Sequence, residues 1–270
     1  MLAVLSNLAL IAYACATGLA LAYLVQREEL VHRLAGLATM AGWAVHSVAL
    51  IVLVAETGRP PFGTLSEAVS VAVWVVVLLE MLVERQYRIP ALGAFVMPIV
   101  VVLSLKSSAA RPATLQQLGD AFRGAWVWVH IALAMIGIAA FVLNFAGALM
   151  YLLQERQLKA KRPGAFYYRL PDLQTLDRLT YRTLALGFPF LTTGLILGAV
   201  WARSAWGSVL TFDPLASLSS LAWAIYAATL AGRAVAGLHG RRAAYLAVFG
   251  FTMLVLTLGA GLFLPGRHGS

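Results

Sequence analysis

The run WVWVHIALAMIGIAAFVLNFAGALMYLL, Trp126–Leu153, decides the fold class of this chain. It contains no Asp, Glu, Lys or Arg and exceeds the about 20 helical residues that cross the hydrocarbon core of a bilayer. Comparable apolar runs lie at roughly 6–25, 35–55, 66–84, 90–105, 183–201, 217–238 and 244–264. A lone span in lipid must satisfy its own backbone polar groups, and the two-residue alternation of barrel strands is missing, so each run reads as a helix. The expected fold is an all-α, polytopic bundle of about eight transmembrane helices. The fourth run is short and contains Pro98, which removes a backbone donor and predicts a break there.

Composition agrees with that reading. Of 270 residues, 61% are hydrophobic and 11% charged, with a mean hydropathy of +0.84, whereas soluble domains carry about half and a quarter respectively. The net charge of +9 would suit a nucleic acid if it were clustered, but it is divided by alternate loops. Fourteen of the 20 Lys and Arg fall in one set and six in the other. The positive-inside rule makes the first set cytoplasmic, so the number of spans is even and both termini lie outside a plasma (inner) membrane. Lipid is the implied surface, and no nucleic acid is expected.

The N-terminal run lacks a basic segment before it and reads as a retained span, not a signal peptide. Cys15 is the single cysteine, so no internal disulfide and no cysteine-based zinc site can form. No hydrophilic stretch exceeds about thirty residues, too few for a separate soluble domain, and residues 1–270 are expected to form one domain. The longest interior loop, Gln154 to Arg182, holds seven basic residues. Within it Asp172 is placed to cap a helix with Leu173, Leu176 and Leu179 on one face. That helix reads either as an interfacial segment against anionic headgroups or as a docking surface for a cytosolic partner.

No nucleotide loop, paired-carboxylate motif or Ser-His-Asp arrangement stands out, which argues against hydrolysis. The histidines and tryptophans remain. His130 lies about one turn inside the outer end of the fifth span, and its spacing from Trp126 puts both on one helical face. A neutral imidazole beside an aromatic ring at a dry boundary suits axial ligation of haem; the plain alternative is an interfacial tryptophan belt with an incidental histidine. His268 is also external, three residues from a chain end. His46 sits near the middle of the second span with Trp43 one turn away, a depth at which ionisable groups face a bundle interior. It reads as an internally hydrogen-bonded histidine or as a ligand. His32 and His239 fall in basic loops and read as solvated.

Three motifs carry a resemblance. They are Glu56-Thr57-Gly58-Arg59-Pro60-Pro61-Phe62 leading to Leu65-Ser66-Glu67, Trp128-Val129-His130, and Leu170-Pro171-Asp172-Leu173 with Leu176-Asp177-Arg178-Leu179-Thr180-Tyr181. Together with Leu197-Gly198-Ala199-Val200-Trp201-Ala202, they resemble the CcsA/HemX branch of the cytochrome c assembly superfamily, the last two of the three pointing to HemX-like members. The resemblance implies eight spans with both ends outside and a tryptophan-rich external segment flanked by a histidine pair. Here Trp206, Gly207, Asp213 and Pro214 match that segment, while Leu210 and Phe212 replace later tryptophans. The pair matches His130 and His268. Two inner-site histidines of the full synthetases fall at Arg59 and Ala231, neither of which can ligate iron; Arg59 could pair with a haem propionate.

The resemblance therefore implies a protein that binds and handles haem and is not itself a catalyst. His130 and His268 would ligate haem b beside Trp126, Trp201, Trp206, Phe212 and Asp213, with Arg59 and His46 as further contacts. A cytochrome c assembly protein is the implied partner. The alternative is a HemX-like regulator acting on glutamyl-tRNA reductase without carrying haem. A third reading is a transporter of another small hydrophobic molecule past His46 and Trp43.

Overall fold

A computed structural model describes residues 1–26, 28–109, 125–160, 168–206 and 214–263. Among them are eight helices: α1 (Leu2–Gln26), α2 (Glu29–Thr57), α3 (Leu65–Tyr87), α4 (Leu92–Ala109), α5 (Ala125–Lys159), α6 (Leu173–Trp206), α7 (Pro214–Val235) and α8 (Arg241–Phe263). Stretches of α1, α2, α3, α5 and α6 are long and apolar enough to cross a membrane, and Leu92–Leu105 is a shorter apolar helix. The all-α membrane bundle expected from hydropathy is the observed architecture. The break expected at Pro98 is not: α4 runs through it, giving up one intrahelical hydrogen bond without ending the helix.

The chain divides into two compact units, one within residues 1–112 and 153–175, the other within 113–152 and 176–270. In the first unit, α1 presents a stripe of mostly small buried residues, Ala9, Tyr13, Ala16, Ala20 and Leu24, at the three- and four-residue spacing of one helical face. Small residues let helix backbones approach in lipid, where exclusion of water supplies no drive. Gly42 of α2 is part of this fit, since a Cβ there would sit 2.8 Å from the Tyr13 ring. The turn between α2 and α3 starts at Gly58, whose φ of 64° is the left-handed conformation that helix C-termini favour. Thr64 then caps α3, its hydroxyl accepting from the Glu67 N–H at 3.1 Å.

In the second unit, α5 and α6 touch backbone to backbone. A Cβ on Gly137 would lie 3.3 Å from the Leu191 amide nitrogen and 3.5 Å from the Gly187 carbonyl oxygen. Aromatic layers fill the rest: Phe141 stacks on Tyr226 at 3.8 Å between centroids, and Phe145 on Phe251 at 4.4 Å. Asn144 Nδ2 donates to the Thr180 carbonyl inside this packing at 2.6 Å, while its Oδ1 and the Tyr226 hydroxyl are buried without a hydrogen-bond partner among the described residues.

The segment from Leu170 to Tyr181 corrects an expectation. Asp172 does cap a helix, accepting from the Thr175 N–H at 2.8 Å and from its hydroxyl at 2.7 Å, and these donors hold its carboxyl below the usual carboxylate range. The helix it starts is α6 itself, continuous to Trp206. Leu176 and Leu179 are fully buried, so this stretch is the packed base of a membrane helix and not a separate segment lying along headgroups. Asp177 likewise faces inward, paired with Arg233 at 3.0 Å.

Candidate functional site

His130 is placed by a close helix crossing. Its Nδ1 lies 2.6 Å from the Gly194 carbonyl oxygen of α6. One turn further on, a Cβ at Gly198 would come 2.9 Å from the imidazole Cε1 and 3.2 Å from Nδ1. The ring thus lies on glycine backbone that no other residue would leave open. A carbonyl only accepts, so Nδ1 carries the hydrogen and the ring lone pair belongs to Nε2. A backbone carbonyl holding one ring N–H is the usual way a ligating imidazole is fixed in tautomer and orientation. The fixed orientation of His130 is one that a metal-ligating imidazole needs.

His268, Phe212 and Asp213 lie outside the described residues. Trp126 is in the first turn of α5, and Trp201 and Trp206 are in the last turns of α6, so the external segment that the resemblance implies is helical as far as Trp206. Their side chains also lie outside what is described.

Arg59 and His46 belong to the first unit and are held by partners of their own. Arg59 makes a two-pronged pair with Glu67, Nη1 to Oε2 at 2.7 Å and Nη2 to Oε1 at 2.9 Å. Glu67 Oε2 also accepts from the Gly63 N–H at 2.8 Å. Gly63 permits this, because a Cβ there would overlap the Arg59 guanidinium. The pairing with Glu67 raises the already high pKa of the guanidinium. Arg59 therefore locks the α2–α3 turn, and a propionate would have to share it with Glu67.

His46 is buried, with Tyr13 Oη 3.1 Å from Nδ1 and Ser70 Oγ 2.8 Å from Nε2. Trp43 stacks on Trp74 at 5.1 Å, and Trp74 Nε1 donates to Ser47 at 2.8 Å. Both imidazole nitrogens are engaged, so ligation would require one bond to be given up. His46→Leu should destabilise the protein by about 1–3 kcal/mol, the cost of stranding a buried polar partner, while haem content stays at the wild-type level. Thermal unfolding and pigment content in detergent check this. Haem loss with an unchanged melting point would make His46 a ligand instead.

His32 differs from its expected solvated state. It lies in the first turn of α2, half-buried, with Nε2 3.4 Å from Glu84 Oε1. Glu84 and the buried Glu80 are a carboxylate pair that the motif reading missed. The signal was present in Glu80-Met81-Leu82-Val83-Glu84, two acids four apart at the end of an apolar run. His239 is exposed, as expected.

The class these features define is a polytopic helical membrane protein with one histidine anchored against a neighbouring helix and a second locked inside its own unit. The family model for cytochrome C assembly protein matches residues 62–267, and the chain belongs to that family. It is 32% identical over 242 residues to the cytochrome c biogenesis protein CcsA of Prochlorococcus marinus (strain MIT 9303), covering 79% of this chain and 76% of that one. Against CcsA of Parasynechococcus marenigrum (strain WH8102) it is 32% identical over 238 residues, covering 79% and 78%. Among solved structures it resembles the cytochrome c heme lyase CcmF, with a TM-score of 0.60 and 19% identity over the whole of this chain and 47% of the other, a likeness of fold. These relatives lend no support to the HemX-like subtype or to glutamyl-tRNA reductase as a partner.

Proposed function

We propose that this protein binds and handles haem b for cytochrome c assembly, with His130 as an axial ligand at the outer face of the plasma (inner) membrane. The observation that carries the reading is the seating of His130 on Gly194 and Gly198, which commits Nδ1 to a carbonyl and the lone pair to Nε2. Family membership and the biogenesis and lyase names of its relatives support the same reading. His268 would supply the second imidazole, with Trp126, Trp201, Trp206, Phe212 and Asp213 around the macrocycle. Haem, when bound, would supply an iron that these imidazole nitrogens could ligate. The chain's own contribution is to orient one imidazole on a rigid helix pair and to present haem to an assembly partner.

The test is an absorption spectrum of the purified full chain in detergent, before and after addition of haem. A Soret band of a low-spin, histidine-ligated haem is expected. A spectrum showing only free haem after reconstitution would reject the reading.

A further inference from the structure

We propose that Glu80, Glu84 and His32 form an intramembrane proton-exchange site, in which one proton taken up through His32 is held between the two carboxyls. The proposal stands apart from haem and concerns only the first unit.

Glu80 is 2% exposed and lies within α3, in a stretch apolar enough to cross a membrane. Ionisable groups at such positions are rare, and they mark ion or proton pathways more often than structural fillers. Glu80 and Glu84 are one helical turn apart on α3 and line the same cavity. Two ionised carboxylates are acceptors only and repel at such a site, whereas a single proton between them makes one a donor to the other. Glu84 in turn faces His32 Nε2 at 3.4 Å, and both of those side chains are about a quarter exposed. The three groups form a graded row from a wet imidazole to a dry carboxyl.

The surroundings are shaped for this row. A cavity of about 10 Å³ opens beside Glu80, Glu84 and His32, with Thr39 on its wall; about 10–15 Å³ is what one water needs. Gly93 of α4 keeps the space open, because a Cβ there would lie 3.3 Å from Glu80 Oε1. The charged and titratable groups facing the row are few. Helix α1 offers Tyr23, its ring 5.2 Å from that of His32. From α2 comes His32 itself, since Arg33 turns away to Glu29 at 3.1 Å and is exposed. The cavity wall after α3 is Pro90, Gly93 and Met97. Among the described residues lining the cavity there is no lysine or arginine to neutralise Glu80.

The exchange balances without any other reactant. Uptake from water forms an N–H bond on His32. Transfer breaks that bond and forms O–H on Glu84, and a shift across the shared hydrogen bond leaves the proton on Glu80. Release reverses the steps, and the net event is binding of one proton.

Infrared spectroscopy of the full chain tests it. At neutral pH the wild type should show a protonated-carboxyl C=O band that shifts in D2O and is lost in the isosteric Glu80→Gln. In His32→Gln the band should persist but exchange roughly a hundredfold more slowly, the low end of what a positioned proton carrier contributes. If Glu80→Gln does not fold, Glu84→Gln takes its place, and the band must then move in frequency because its acceptor has changed. Absence of any band sensitive to these substitutions overturns the proposal. So does unchanged exchange in His32→Gln, or loss of the band when sodium replaces choline, which would make the site one for a metal cation.

Discussion

His130→Ala should remove the low-spin bis-histidine signature of haem-loaded protein, and Gly198→Ala should weaken haem binding by about 10–100-fold without touching a ligand. The second figure is typical of disturbing the group that orients a metal-bound imidazole. The reason lies in one contact: a methyl at Gly198 would sit 2.9 Å from the His130 ring, closer than such contacts occur, so the ring must leave the Gly194 carbonyl. Gly194→Ala serves as a control, since its Cβ would be no nearer than 3.7 Å to its neighbours and should be tolerated. Haem titration followed at the Soret band measures all three. Wild-type Soret position and intensity in both His130→Ala and Gly198→Ala would remove His130 from the site and with it the proposed function.

Asp177→Ala should cost about 1–3 kcal/mol of stability, the cost of leaving a buried partner without its hydrogen bond, since Arg233 is buried while the Asp177 side chain is 28% exposed. Arg233 is 7% exposed along its side chain and its guanidinium is surrounded. It donates to Asp177 at 3.0 and 3.3 Å and to the Thr180 hydroxyl at 3.1 Å, and it lies 5.6 Å from the centroid of the Tyr181 ring. Asp177 Oδ1 also accepts from the Gly240 N–H at 3.0 Å, which joins the base of α6 to the turn before α8. Removing the carboxylate strands a cation and an amide together. The double variant Asp177→Leu with Arg233→Met should recover most of the loss, because well-packed apolar pairs replace buried ion pairs at little cost. Unfolding in detergent through the full double-mutant cycle measures the coupling. A cost below about 1 kcal/mol for Asp177→Ala, the range of exposed pairs, would show that Asp177 is a surface group available to a partner after all.

That second case shows how far linear reading reached. The expectation that Leu170–Tyr181 was a surface feature came from its charge and its loop-like flanks. Asp172 was correctly placed as a cap, because capping depends on residues three apart in one chain. Asp177 was not placed, because its partner is fifty-six residues away. The same division holds for the histidines. His46 could be assigned to a bundle interior by depth alone, yet Tyr13 and Ser70 became its partners only when α1, α2 and α3 were brought together. His32 looked solvated because it neighbours arginines in sequence, while in space it neighbours Glu84.

Hydropathy along the chain determined that this is an all-α membrane bundle and roughly where its spans lie, and short motifs determined which family it resembles. Those properties are local or additive: a helix in lipid satisfies its own backbone, and span length follows from bilayer thickness. Only the tertiary structure decided that the His130 ring lies against Gly198, that Arg59 pairs with Glu67, and that Glu80, Glu84 and His32 line one cavity. Side-chain pairing depends on which helix faces meet and how closely, and small residues set that distance without announcing which partner they admit.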